Sequence, residues 1–84
     1  MGAISANRWF HALDGRLITF HGELQTILIH GIHADGDGVW IQISLGPDRS
    51  LLLHVDPHAT IEEVLSSLEG APDTENWLDV PHAA

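Results

Sequence analysis

The chain has no cysteine, no lysine and no tyrosine, and it carries only three arginines. It also lacks any long apolar run. Each absence removes a class of explanation. Without cysteine there is no disulfide framework, no thiolate nucleophile and no cysteine-based zinc site. Three basic residues against twelve acids leave a net charge of −9. Nucleic acid is therefore not an expected partner, because its phosphates are neutralised by Lys and Arg. An anionic membrane surface is disfavoured for the same reason. No segment approaches the roughly 20 apolar residues that span a bilayer, and no basic stretch leads into an apolar one as a secretory signal requires. The expectation is a soluble, cytoplasmic protein. Its acidity permits a basic partner, although solubility alone accounts for it.

What is present has the composition of a folded domain. Hydrophobic residues make up 44% of the 84 positions, too many for a disordered chain. Residues 1–84 read as one small domain that buries about 60–65% of its unfolded surface. A core of that size is marginal, and dimerisation would support it.

The clearest local signals lie in residues 39–70. Val39, Ile41, Ile43 and Leu45 alternate with Trp40, Gln42 and Ser44, the period of a half-buried strand. Leu51, Leu53 and Val55 alternate with Leu52, His54 and Asp56. Gly46-Pro47-Asp48-Arg49 suits the turn between them. Thr60-Ile61-Glu62-Glu63 fits a capping box, and Ile61, Val64, Leu65 and Leu68 form the apolar stripe of the helix it opens. Gly70 fits a left-handed residue after that helix, and Pro72 stops it.

Around this segment the pattern is shorter. Residues 4–15 read as a helix capped by Ser5, with Ala6, Trp9, Phe10 and Leu13 on one stripe and Asp14-Gly15 at its end. Arg16 to His21 reads as a strand, followed by Gly22-Glu23 as a type II′ connection. Leu24 to His33 is the next strand, with Ile27 and Ile29 on one face and Leu28, His30 and Ile32 on the other; Gly31 marks a bulge or a close backbone approach. Ala34 to Gly38 closes a second hairpin onto Val39. The expected fold is α+β, in the order α-β-β-β-β-α. It consists of a four-stranded, mainly antiparallel sheet with the C-terminal amphipathic helix packed on it. In the tail, Asp73 can cap a helical turn, or Trp77, Leu78 and Val80 can form a short edge strand; Pro81 to Ala84 is expected to fray.

The segment Val55-Asp56-Pro57-His58-Ala59-Thr60-Ile61-Glu62-Glu63-Val64, with the core pattern running back to Val39, resembles the opening hairpin and helix of ubiquitin-like β-grasp domains. The resemblance implies a sheet with a helix packed across it. It does not imply a modifier, since the chain ends Ala83-Ala84 rather than Gly-Gly and has no lysine. The remaining strands would then come from before Val39, because few residues follow the helix.

Three groupings bear on function. The loop Asp35-Gly36-Asp37-Gly38 has calcium-like acids, but the twelfth position counted from Asp35 is Gly46, where an EF-hand needs glutamate; it reads as a turn. Seven histidines lack any recognised metal spacing. His30, His54 and His21 are the set that a sheet brings closest, so they are the candidate metal ligands. No nucleophile elbow, catalytic triad or phosphate loop is present, so no enzymatic activity and no cofactor are expected. The second sheet face keeps Trp40, Leu52, Leu28 and Ile32, more apolar surface than a solvated face needs. These four residues are the expected interface of a protein-interaction module or small homodimer. Histidine-based metal binding is the alternative.

Overall fold

In the computed structural model, residues 6–47, 49–71 and 76–82 are described. They form α1 (Ala6–Leu13), β1 (Leu17–Phe20), β2 (Glu23–Ala34), β3 (Val39–Leu45), β4 (Arg49–Val55), α2 (Ile61–Glu69) and β5 (Trp77–Val80). The strands make one sheet in the order β1-β2-β3-β4-β5. The first four run antiparallel as a meander, and β5 pairs parallel with β4. The fold is thus α+β, with two corrections: the sheet has five strands and is mixed, and the helix after β4 is a crossover. A parallel neighbour needs such a crossover, which here lets the tail add the edge strand. Of the two readings of the tail, the edge strand is formed as β5; Asp73, as the cap of a helical turn, and the Ser5 cap lie outside the described residues. No helix among the described residues is long and apolar enough to cross a membrane.

Both helices cover the same face. Trp9 and Leu13 of α1 and Val64 and Leu68 of α2 are fully buried, in one cluster with Ile27, Ile41, Ile43, Leu51, Leu53, Val55 and Val80. Each Leu, Ile or Val buried in this way contributes roughly 1.5–3 kcal/mol. α2 touches β1 and β5, the two outermost strands, while α1 lies over β2. One helix reaches both edges only if the sheet curls around it, so the covered face is concave and the other convex. Arg49, at the start of β4, reaches over the Phe20 ring of β1 at 5.7 Å, as the same curl requires.

Local chemistry explains the element ends. The capping box of α2 is complete: the Glu63 amide donates to Thr60 Oγ1 (3.1 Å) and the Thr60 amide to Glu63 Oε1 (2.8 Å). His82, placed in the fraying tail by sequence, bonds the same Glu63 oxygen through Nδ1 at 3.1 Å. Gly70 departs from expectation with φ −97°, outside the left-handed region. Its amide donates to the Ser66 carbonyl, the Ala71 amide donates to the Leu68 carbonyl, and Ala71 turns straight into the core. The first hairpin also differs. Its two loop residues are His21 and Gly22, with φ 51° and 83°, and Phe20 pairs with Glu23. Two consecutive left-handed residues are the mark of a type I′ turn rather than the expected type II′.

In β2, Ile29 pairs with Ile43 and Gly31 with Gln42, so His30 is an extra residue in a bulge. The slip corrects the expected faces. Ile32 pairs with the buried Ile41 and packs on the core beside Ile27 and Ile29. His33, one residue on, stands opposite Trp40 on the convex face.

Candidate functional site

The convex face is where the molecule leaves apolar surface in water. Apart from Phe10 on α1, every large, strongly exposed apolar side chain among the described residues lies there: Leu17, Leu24, Leu28, Leu52 and Trp77. Trp77 is 51% exposed and Leu28 47%. The strand registers arrange this face in rows. One runs His33, Trp40, His54, Asp79; the next Gly31, Gln42, Leu52, Trp77; a third Leu28, Ser44, Ser50. Two open depressions of about 300 and 440 Å³ flank the middle row and share Gln42 and Leu52. Ile32 also lines the smaller one and Arg49 the larger.

The first row and its neighbour form an aromatic cluster held by carboxylates. Trp40 stacks on His54 with ring centroids 4.2 Å apart and planes 30° apart. Trp77 lies nearly parallel to Trp40, with centroids 6.5 Å apart. The orientation of Trp40 comes from the loop before it. Asp35 Oδ1 accepts from the amides of Asp37 (2.8 Å) and Gly38 (3.0 Å), and Asp35 Oδ2 accepts from Trp40 Nε1 (3.2 Å). The Asp37 amide above all, with the Gly38 amide, the Trp40 indole and the nearby His33 adding to it, holds the Asp35 carboxyl below its ordinary 3.8. The turn reading of this loop therefore holds. His54 Nδ1–H donates to Asp79 Oδ1 at 3.3 Å, and Asp79 remains largely open to water.

Gly38 makes the cluster possible. A Cβ at this position would lie 2.6 Å from the Val55 carbonyl oxygen and 3.0 Å from His54 Nε2. The loop backbone thus closes down on β4 and seats the edge of the His54 ring.

Trp40, Leu52 and Leu28 all stand on the convex face, as their strand alternation implied. Ile32 belongs mainly to the core. The histidines named as metal ligands are engaged apart from one another. His30 Nε2 bonds Ser44 Oγ at 2.9 Å, His54 stacks on Trp40, and the His21 ring meets Phe20 edge-on at 4.3 Å. Among the described residues, no three His, Asp or Glu side chains gather where a metal ion would sit. His30 and His33, placed on opposite faces by a regular strand, share the convex face because of the bulge.

Sequence reasoning did not place Trp77 and Asp79 in the site. Their signal was the alternation of Trp77 and Asp79 with Leu78 and Val80, but nothing local shows that this strand docks beside β4. Leu17 and Leu24 were hidden in the same way, by position in short strands. No family model, curated protein or solved structure matches this chain.

Proposed function

We propose that the protein is an interaction module whose convex sheet face, centred on Leu52, Trp40, Trp77 and Leu28, binds protein surface, either another copy or a different chain. The single observation carrying this reading is the division of labour between the faces. Both helices are spent on the concave face, and among the described residues every strongly exposed large apolar side chain of the sheet is left on the convex one. Exposed apolar groups gathered on one face, rather than scattered, are the usual sign of an interaction surface.

The test is a double variant, Leu28→Asp with Leu52→Asp, followed by thermal unfolding and by solution mass from light scattering. A variant that unfolds near the wild-type temperature shows that these side chains serve something other than the fold. A wild-type dimer made monomeric by the variant identifies self-association. A large fall in unfolding temperature, with the wild type monomeric, would make this face part of the folding core and sink the proposal.

A further inference from the structure

The chemistry of one end of this face points to a particular kind of partner. Resting on the interaction reading above, we infer that the Trp40–Trp77–Asp79 end of the convex face receives an arginine or lysine side chain from a basic segment of another protein. Three observations converge. The two indoles lie nearly parallel, and Trp77 is half exposed, so an aromatic face is offered to solvent. Such faces attract cations through their quadrupole, most strongly for tryptophan. Asp79 borders the cluster with a side chain 66% exposed and one oxygen engaged by His54, leaving acceptor capacity for an incoming N–H. Asp35 adds a second negative charge at the Trp40 end.

The third observation is the distribution of positive charge. Arg8 lies on α1, Arg16 precedes β1, and Arg49 reaches toward Phe20 and lines the larger depression at the start of β4, five residues along that strand from His54. None stands in the rows of the convex face, whose one carboxylate is Asp79. A second copy would bring the same acids and another net charge of −9 against this surface. Charge complementarity therefore favours a basic chain over self-pairing. A guanidinium suits the place best, because it stacks flat on an indole while its fork reaches a carboxylate.

The experiment uses an acetylated, amidated five-residue peptide of alternating valine and arginine, with glutamine and glutamate counterparts. Each is titrated into the isotope-labelled protein while the indole N–H signals of Trp40 and Trp77 are followed. The expected result is movement of both signals with the arginine peptide, weakening as salt rises, little with glutamine and none with glutamate. Trp77→Ala should weaken that binding about 2- to 30-fold, and Asp79→Asn should flatten its salt dependence, with both variants unfolding near the wild-type temperature. Equal binding of the arginine and glutamine peptides would overturn the cation assignment while leaving the interaction face intact. Movement of convex-face signals on simple dilution of the protein would make a second copy the occupant. No response on this face to any peptide, with no change on dilution, would overturn both readings.

Discussion

On the concave face, Ile41, Ile43, Leu51 and Leu53 are almost wholly withdrawn from water beneath α1 and α2, while on the convex face of the same strands Leu28, Leu52 and Trp77 remain open to it. The strands are common to both faces, so propensity for strand does not separate them. The difference lies in what the rest of the chain supplies. Two helices bearing Trp9, Leu13, Val64 and Leu68 complete one face. The other receives only loop and strand-end groups, chiefly Asp35 and the β5 side chains. An apolar residue on the first face stabilises the molecule; one on the second is available for recognition.

Substitution should expose that contrast, with the largest effect on the concave side. Leu53→Ala or Leu68→Ala, each fully buried, should cost about 2–5 kcal/mol in denaturant unfolding. A cost below 1 kcal/mol would mean that the helices do not seal this face. Gly38→Ala comes next, at about 1–3 kcal/mol, because its methyl group would collide with the Val55 carbonyl. The same variant should move the indole signal of Trp40, which a purely local loop change would leave in place. Thr60→Ala, which removes half of the capping box, should cost about 1 kcal/mol, read from the same denaturation midpoint.

The convex side should respond weakly. Asp35 has a folded-state pKa below its unfolded value, so its contribution to stability is present above the ordinary 3.8 and is lost as pH falls through the lowered value. Asp35→Asn should therefore lower stability at neutral pH, lose little more in acid, and so remove part of the acid-limb slope of stability against pH. An unchanged slope would show that its three hydrogen bonds do not depend on its charge. Smallest of all, Leu52→Asp should shift unfolding by less than about 0.5 kcal/mol. A loss comparable to that of Leu53→Ala would erase the distinction between the faces.

Some of this was legible from local pattern. Helix α2 was, because a capping box and an i, i+3, i+4 stripe act over one or two turns and need no distant partner. The alternation in β3 and β4 likewise places Trp40, Gln42, Leu52 and His54 on one face, as their pairing shows. The site itself was only half readable. Trp40 and His54 belong to one hairpin, whereas Trp77 and Asp79 arrive through a crossover from a strand of four residues. Ile32 was assigned to the wrong side because strand parity holds only until a bulge, and the sequence placed Gly31 without saying which neighbour becomes the extra residue.

The sequence by itself determined α1, the β1–β4 meander and α2, since alternation, turn residues and caps are short-range and act wherever the chain lies. Only the tertiary structure decided that both helices share one face, that β5 joins β4 in parallel, and that the sheet curls far enough for α2 to touch both edges. Those outcomes depend on which apolar surfaces meet across dozens of residues. The same packing brings half-buried Trp40, exposed Trp77 and two carboxylates together on the convex side.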